Sequence, residues 1–430
     1  MNHPDTYYSR TAADIRERPV LKGLVEVDVA VVGAGLAGLT TALQLARAGR
    51  SVALLEGQSV GFGASGRNGG FVTPGFSTDG DAIAAIAGKE KAKKLFHLSV
   101  EGVNFVREAI KRLDVRSANP KRGLMRVLRY DSGDTLKRYA EKSMRDYGYK
   151  LDFLETSTVR QSLKTQRYFQ GLRDADAFHI HPLNYLRAIA VEIERLGGQI
   201  YEKSPVVEFI PTAASKTLRT LGGRVRAEHV VFATGGYTGP VFGALHRAFL
   251  PIATYVMVSE PNPELISQAI ATSDAIGDNR RAGDYYRLVD DGKRLLWGGR
   301  ITTRAASPAN LARELRREMV GTYPQLAGLK TELAWSGLMS YARHMMPQIG
   351  QLDPGVWYCT AFGGHGLNTT AAGGMVVAEG ITGVSNRYKL FEPFGLPWAG
   401  GSLGLAAAQL TYWRLQAQDW WLERRSNAIG

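Results

Sequence analysis

One stretch near the N-terminus, residues 27–57, constrains the fold of this 430-residue chain most strongly. It reads VDVAVVGAGLAGLTTALQLARAGRSVALLEG, which predicts a buried strand, a glycine turn, a helix and a second strand ending at Glu56. The turn has the pattern GxGxxG, formed by Gly33, Gly35 and Gly38. Gly33 allows the sharp turn, Gly35 lets backbone N–H groups approach a pyrophosphate, and Gly38 lets the helix pack closely on the strand. The unit predicts a dinucleotide-binding site.

Glu56 makes this prediction more specific than the glycine pattern alone. It follows Gly38 by one helix and one strand, where a carboxylate can accept hydrogen bonds from both hydroxyls of an adenosine ribose. An acid at this position disfavours a 2′-phosphate, so NADP is not the expected ligand. The alternative is that the glycines only pack a helix against a sheet.

Composition limits the class of protein. The length suggests two domains, and 44% apolar with 22% charged residues is an ordinary soluble composition. We find neither an apolar run of about 20 residues nor a signal-peptide segment, so we expect a cytoplasmic protein without an integral membrane span. The single cysteine, Cys359, excludes an internal disulfide and a cysteine-based metal cluster, and we predict no metal site. Although the net charge is +13, the basic residues are scattered and no nucleic-acid motif accompanies them, so nucleic acid is not an expected partner.

A second glycine-rich stretch, residues 61–70, follows the first unit and reads GFGASGRNGG. Such glycine density lets backbone lie against a flat ligand and offers amide groups to its polar edge. Arg67 and Asn68 among these glycines fit a ligand-binding loop better than the alternative, a flexible surface loop.

Later segments complete the outline of two domains. Residues 228–236, EHVVFATGG, form a continuous apolar run that predicts a buried parallel strand. Residues 284–299 predict a β-hairpin closed by Asp291 and Gly292, and residues 367–381 predict a helix after the turn FGGHG. We therefore expect an α/β protein with a Rossmann-like domain on a mostly parallel sheet and a second, α+β domain on an antiparallel sheet.

The predicted division of the chain is discontinuous. The nucleotide domain is assigned residues 26–80, 155–240 and 336–390. The substrate domain is assigned residues 81–154 and 241–335. Residues 1–25 are expected to form an arm, and residues 391–430 to pack on the nucleotide domain.

Five segments together resemble the glycine/D-amino-acid oxidase family of FAD enzymes. They are VVGAGLAG with Glu56, GFGASGRNGG, HVVFATGGY, the DYYRL…LLWGG hairpin, and MMPQIGQL…WYCTAFGGHG before the last helix of that domain. They cover essentially the whole chain in the family's order. Within the family, the pattern looks most like the γ-glutamylputrescine oxidase branch.

The resemblance implies an extended FAD, with its diphosphate on residues 33–38 and its ribose on Glu56. The isoalloxazine ring would lie near residues 65–70 and 364–367, and the strands around residues 206 and 233 would flank the adenine and ribose. The implied cofactor-binding residues are Gly33, Ala34, Gly35, Leu36, Ala37, Gly38, Glu56, Gly57, Gly63, Ala64, Ser65, Arg67, Asn68, Gly69, Gly70, Val206, Val207, Ala233, Thr234, Gly235, Gly364, His365, Gly366 and Leu367.

The activity implied is oxidation of a small-molecule amine, either a secondary or γ-glutamylated amine or an amino acid. Hydride would pass from the carbon next to nitrogen to flavin N5, giving an imine that hydrolyses, and O2 would reoxidise the flavin with release of H2O2. Since the cofactor performs the electron chemistry, no side-chain base is required and we assign no catalytic residue. The candidates for lining the substrate site are His365, Tyr286, Trp335, Tyr255, Arg287 and Arg300. The two arginines could bind a substrate carboxylate.

Two departures from the family pattern affect this expectation. Sarcosine oxidases attach FAD to a cysteine in the segment that corresponds to residues 342–347, ARHMMP, where this chain has none. We therefore expect non-covalent FAD. No lysine matches the one those enzymes use to activate oxygen, so the acceptor is either O2 or another molecule.

Three alternatives remain open at this point. The chain could be a dehydrogenase of amino acids or opines that uses another acceptor, or a flavin-binding protein without turnover. An aromatic hydroxylase is a third alternative, but residues 347–350, PQIG, lack the GD-type ribityl motif. The apolar, tryptophan-containing residues 403–425 could contact a membrane surface, although we favour packing against the protein.

Overall fold

The computed structural model describes residues 3–280, 283–302 and 308–427, which form a mixed α/β fold with two sheets. The strands are β1 (Gly23–Val32), β2 (Val52–Leu55), β3 (Phe71–Val72), β4 (Lys121–Val127), β5 (Asp152–Leu154), β6 (Gly171–His179), β7 (Gln199–Tyr201), β8 (Glu208–Pro211), β9 (Lys216–Arg219), β10 (Gly223–Phe232), β11 (Phe249–Ser259), β12 (Ala275–Asp278), β13 (Tyr285–Val289), β14 (Arg294–Thr302), β15 (Thr331–Ala342), β16 (Gln348–Asp353) and β17 (Val356–Thr360). The helices are α1 (Tyr7–Arg10), α2 (Leu36–Arg47), α3 (Gly80–Ala87), α4 (Lys89–Arg112), α5 (Gly133–Tyr147), α6 (Thr156–Ser162), α7 (Pro182–Arg195), α8 (Gly243–His246), α9 (Pro263–Ser267), α10 (Pro308–Thr322), α11 (Gly366–Thr382) and α12 (Gly401–Asn427).

The first sheet has the strand order β16-β17-β10-β1-β2-β7. Strand β1 lies parallel to β10 and β2, and β17 lies parallel to β10, whereas β16 is an antiparallel edge. Strands β8 and β9 extend β10 as an antiparallel ribbon. This is the mostly parallel, discontinuous sheet that the sequence predicts.

The turn between β1 and α2 shows why glycine is needed there. Gly33 has a φ of +104°, a conformation that side-chain-bearing residues rarely adopt. A Cβ atom on Gly38 would lie 1.9 Å from the Gly33 carbonyl oxygen, so helix and turn can approach this closely only without a side chain. Leu39 and Leu43 of α2 are buried against the sheet. The local unit predicted from the sequence is confirmed.

The second sheet has the order β15-β11-β14-β13-β12-β4-β6-β3, with β5 beside β6. It is mixed rather than wholly antiparallel, because β12 and β4 run parallel. The hairpin β13–β14 closes at Asp290, Asp291 and Gly292, all with positive φ, as the sequence predicts. Helix α10 contacts β11, β14 and β15 and buries Leu315 and Met319 in a core with Trp297.

Sheet membership differs from the division of the chain predicted from sequence. Strands β3 and β6 fall in the stretches predicted for the nucleotide domain, yet they pair in the second sheet. Helices α3 and α4 fall in a predicted substrate stretch, yet they pack in the core beneath the first sheet, with α4 against α11. Apolar periodicity identifies each element but does not reveal which sheet buries its apolar face.

The C-terminal segment also packs differently from the prediction. Helix α12 contacts β11 of the second sheet, and Glu423 forms an ion pair with Arg280 with an Nε–Oε1 distance of 2.6 Å. Gly404 lies against Leu250, and the Ala399 N–H donates to the Arg247 carbonyl. The helix therefore packs on the second sheet rather than on the nucleotide-binding sheet. Across the described residues, every helix is too short or too polar to cross a membrane.

Candidate active site

A cavity of about 880 Å³ connects the two sheets. One end is formed by the β1–α2 turn and the carboxyl ends of β2 and β10, represented by Gly33, Glu56 and Ala233. The other end is formed by the second sheet and by the turn before α11, which carries His365. In open α/β sheets, ligands bind at the carboxyl ends of parallel strands, so the first end has the location expected for a nucleotide.

Glu56 is the acidic group at the nucleotide end. Its side chain accepts hydrogen bonds from the N–H groups of Ala34 at 2.8 Å and Gln58 at 2.9 Å. Burial raises the pKa of Glu56, while these two N–H groups oppose that shift by stabilising the carboxylate. The two hydrogen bonds fix the carboxylate at the edge of the cavity, where it can accept ribose hydroxyls.

The N-terminus of α2 opens onto the same cavity. Gly35 caps the helix with extended backbone, and the Leu36 N–H donates to Ser65 Oγ at 3.0 Å. A Cβ atom on Gly35 would lie 2.9 Å from that oxygen, and the first turn carries no acidic side chain. The close backbone and the positive end of the helix dipole suit a diphosphate.

The loop of residues 61–70 is held by Arg67 and Asn68. Arg67 donates to the carbonyls of Phe62 and Ser336 and, at 2.9 Å, to the hydroxyl of Tyr237. The Asn68 side chain donates to the Ser65 carbonyl and accepts from the Gly70 N–H, both at 2.8 Å. Both residues therefore shape the glycine-rich loop along one wall of the cavity.

His365 precedes α11 and lines the cavity. Its Nε2 atom lies 3.1 Å from the carbonyl oxygens of both Thr73 and Pro74, so these partners assign the hydrogen to Nε2. Burial, with a smaller contribution from the Arg126 charge, lowers the pKa of His365 to about 4. The imidazole is thus neutral near pH 7 and ties the start of α11 to the segment after β3.

Comparisons with known proteins agree with this geometry. The family model described as FAD dependent oxidoreductase (DAO) matches residues 28–380. The chain belongs to the DAO family of FAD-dependent oxidoreductases. It is 33% identical to the γ-glutamylputrescine oxidoreductase of Escherichia coli K12 over 93% of this chain and 94% of that protein. It is 31% identical to a probable oxidoreductase, OrdL, of Haemophilus influenzae, over 92% of each chain.

Solved structures show the same fold. The crystal structure of glycine oxidase from Geobacillus kaustophilus superposes with a TM-score of 0.73 at 19% identity, covering 86% of this chain and 98% of that one. The protein is therefore an FAD-dependent oxidoreductase of the amine and amino-acid oxidase type.

Most residues predicted from sequence to contact FAD line the cavity. They are Gly33, Gly35, Leu36, Glu56, Gly57, Gly63, Ala64, Ser65, Arg67, Asn68, Gly69, Gly70, Val206, Ala233, Thr234, Gly235, Gly364, His365, Gly366 and Leu367. Four others do not line it: Ala34, Ala37 and Gly38 are buried in the turn and helix, and Val207 is 45% exposed.

Two aromatic residues predicted to line the substrate site lie on the face of the second sheet that points away from the cavity. Tyr286 and Tyr255 are buried in the core beneath α10, whereas their chain neighbours Tyr285 and Thr254 line the cavity. Successive strand residues point to opposite faces, and both faces of this sheet are covered. The sequence therefore predicts the strands but not which face of the sheet borders the cavity.

Two further residues predicted to line the substrate site, Trp335 and Arg287, lie behind the loop of residues 61–70. Trp335 is 3% exposed, and its Nε1 donates to the Arg67 carbonyl at 2.9 Å. Arg287 donates to the carbonyls of Gly69 and Ile180 at 2.7 Å and to the hydroxyl of Tyr8. Neither lines the cavity.

The side chain of Arg300 lies outside the described residues. Conversely, sequence reasoning missed several side chains that line the cavity, including Thr73, Arg126, Tyr285, Tyr341 and Phe362. The alternation of residues along the strands was the available signal for Arg126 and Tyr285, but it does not show which face of the second sheet lines the cavity.

Proposed function

We propose that this protein oxidises a γ-glutamylated amine, or another amine derived from an amino acid, with non-covalently bound FAD and O2 as electron acceptor. The observation that carries this proposal is one continuous cavity that joins the turn at Gly33 and Glu56, suited to a dinucleotide, to a pocket on the second sheet. The 33% identity to a γ-glutamylputrescine oxidoreductase over nearly the whole of both chains supports the choice of substrate.

The residues at the nucleotide end fit FAD. Glu56 would hold the ribose and the α2 N-terminus at Gly35 would hold the diphosphate, both at the edge of the cavity. The loop of residues 61–70 and the N-terminus of α11 would border the ring system. Bound FAD supplies the two-electron acceptor for the C–H bond next to the amine nitrogen.

Residues at the other end enclose and orient the substrate. Tyr285, Tyr341 and Phe362 give the pocket aromatic walls that exclude water from an amine. The N-terminus of α11 at Gly366 opens into the cavity, where the helix dipole stabilises negative charge. Since His365 is neutral and donates its Nε2 hydrogen to two carbonyls, it positions this turn rather than acting as a base.

The surroundings of Cys359 support non-covalent binding. This cysteine is the only one in the sequence, and its thiol is completely buried in the core of the first sheet. Burial raises the pKa of the Cys359 thiol, so it stays protonated and unreactive. It does not line the cavity.

The test is the visible spectrum of purified protein under anaerobic conditions. γ-Glutamylputrescine, putrescine, N-methyl amino acids and D-amino acids are added in turn, and air is then admitted. We expect γ-glutamylputrescine to bleach the flavin and air to restore it with formation of H2O2. Slow return in air with rapid return on adding a dye would instead indicate a dehydrogenase.

Acid precipitation tests the mode of binding. We expect all the flavin to enter the soluble fraction. A yellow pellet would contradict non-covalent attachment, and a yellow protein that none of the amines bleaches would contradict the proposed substrates.

A further inference from the structure

Three residues on neighbouring strands form a row on the cavity face of the second sheet. Gly277 of β12 lies opposite Arg126 of β4 on one side and opposite Tyr285 of β13 on the other. All three line the cavity, as does Leu124, two residues before Arg126. The alternate residue Met125 packs in the core on the opposite face, which confirms the direction of this face.

The middle of the row is open. A Cβ atom on Gly277 would have no atom within 4 Å, so the glycine leaves a slot between its two neighbours. Adjacent strands are about 4.8 Å apart, which places the backbones of Arg126 and Tyr285 about 10 Å from each other. The Tyr285 ring lies over Gly298 of β14, away from β12, so the space above Gly277 stays open beside Arg126 and accommodates an extended acyl chain.

Of the two arginines among the described residues that line the cavity, Arg126 is the one that protein hydrogen bonds leave available. Its side chain is exposed, and within the described residues no carboxylate lies within 4.0 Å of its guanidinium. Arg67, the second of these arginines, is bound to three carbonyls and the Tyr237 hydroxyl. Arg287 is buried behind the loop of residues 61–70 and does not line the cavity.

Among the described residues that line the cavity, the carboxylates are those of Asp278 and Glu56. Asp278, the next residue after Gly277, is a lining residue, but its carboxylate is paired with Arg129 and accepts the N–H groups of Arg280 and Asp284. Glu56 lies at the nucleotide end of the cavity. An anionic group of a substrate would therefore be attracted to Arg126.

We infer that Arg126 binds the carboxylate of the substrate and that the slot at Gly277, next to Arg126, holds the acyl chain attached to it. The inference rests on the proposed function and makes it more specific. The protein selects amines that carry a carboxylate remote from the oxidised carbon, as the γ-glutamyl group does, rather than free diamines.

The experiment compares two substrates that differ by one carboxylate, γ-glutamylputrescine and 4-aminobutanoylputrescine. Arg126→Gln should raise KM for γ-glutamylputrescine about tenfold or more, because a charge-assisted hydrogen bond is lost, and leave its kcat within about twofold. The KM for 4-aminobutanoylputrescine should not change. Arg126→Lys should recover part of the affinity, because charge remains but the planar fork is lost.

Arg122→Gln is the matched control. Arg122 lies on the same strand and loses the same charge, but its side chain is 77% exposed and does not line the cavity. We expect wild-type kinetics. If Arg126→Gln changes KM equally for both substrates, or for neither, the inference is wrong.

Gly277→Val tests the slot independently. Its side chain would enter open space on a strand, so flavin content and Tm should stay at wild-type values. We expect a higher KM for γ-glutamylputrescine. Equal kinetics of variant and wild type with γ-glutamylputrescine would contradict the assignment of the slot.

Calorimetric titration with glutarate separates this inference from the proposed function. If no amine reduces the flavin, glutarate binding that weakens about tenfold in Arg126→Gln still supports an anion site at Arg126. Absence of glutarate binding to the wild type, or equal binding to both proteins, would overturn it.

Discussion

The phenol ring of Tyr286 lies parallel to the indole ring of Trp297, with centroids 4.2 Å apart and an angle of 4° between the planes. The Tyr286 hydroxyl is 2.7 Å from that of Tyr323 and donates to that of Tyr168. This completely buried cluster packs with α10 on the side of the second sheet away from the cavity. Tyr286 therefore stabilises the sheet, whereas the neighbouring Tyr285 lines the cavity.

Tyr286→Phe should lower the free energy of unfolding by about 1–2 kcal/mol, because two buried hydroxyls lose a partner. Steady-state kcat and KM should remain within twofold of wild type. Urea unfolding and initial rates measure the two effects. Tyr285→Phe is the contrasting variant and should alter KM, because Tyr285 lines the cavity and its hydroxyl forms a hydrogen bond with Thr254, which also lines it. A large fall in kcat for Tyr286→Phe would show that this residue acts in the site.

Arg287→Lys should destabilise the protein without selectively weakening substrate binding. Lysine cannot reproduce hydrogen bonds to Gly69, Ile180 and Tyr8 together, so we expect a loss of about 2–4 kcal/mol in urea unfolding. Arg122→Lys, at an exposed position on β4, should change stability by less than 0.5 kcal/mol or so. An effect of Arg287→Lys confined to KM would instead support the original carboxylate-binding role.

Glu56→Gln should weaken FAD binding about tenfold or more while leaving the fold intact, because a charged acceptor for the ribose hydroxyls is lost. Fluorescence titration of the apoprotein with FAD measures the change in Kd. Glu26→Gln, at an exposed position on β1, controls for the loss of one negative charge. An unchanged Kd would mean that Glu56 does not contact the cofactor.

Stability should fall as the pH is lowered from about 6.5 towards 4. Burial is the main factor that lowers the pKa of His365 to about 4 and those of His179 and His181 to about 3, from an ordinary value of 6.5. Between these values the unfolded chain binds protons that the folded protein does not, so each histidine contributes up to about 1.4 kcal/mol of destabilisation per pH unit.

Calorimetry near pH 5.5 in buffers of different ionisation enthalpy measures these protons. Unfolding should take up protons, and His365→Gln should reduce the uptake by nearly one. An unchanged uptake would show that His365 is already protonated in the folded protein.

Glu423→Gln should loosen α12 from the second sheet. Glu423 and Arg280 form a two-point ion pair, 2.6 and 2.9 Å, and both side chains are largely buried. We expect a loss of about 1–2 kcal/mol and faster proteolysis within α12. Glu192→Gln, which breaks a pair with the 68% exposed Arg195, should cost less than about 1 kcal/mol. Equal proteolysis rates in wild type and Glu423→Gln would show that other contacts hold the helix.

Most residues that the sequence predicted for the nucleotide end do line the cavity, and this has a physical reason. The functional elements of that half are close in the chain: Gly33, Gly35 and Gly38 form one turn, and Glu56 ends the next strand. Their spacing fixes their geometry, since one helix and one strand connect them. The family resemblance added the turn at Gly364–Leu367, which the structure places at the same cavity.

The substrate half could not be predicted in this way. Its residues come from separate strands, and their chain order says little about which strands become neighbours: β4 lies beside β12, some 150 positions later.

The sequence alone is sufficient to predict the local units of this protein: the β1–α2–β2 unit, the β13–β14 hairpin and the helix that begins at Gly366. Packing in three dimensions sets which side chains line the cavity. Tyr285 and Tyr286 are adjacent, but Tyr285 is partly buried and lines the cavity, whereas Tyr286 is completely buried in the core under α10. Because both faces of the sheet are covered, the alternation of polar and apolar residues does not distinguish them. The packing of α10 and of the first sheet determines which side chains line the cavity, and it places Arg126 rather than Arg287 there.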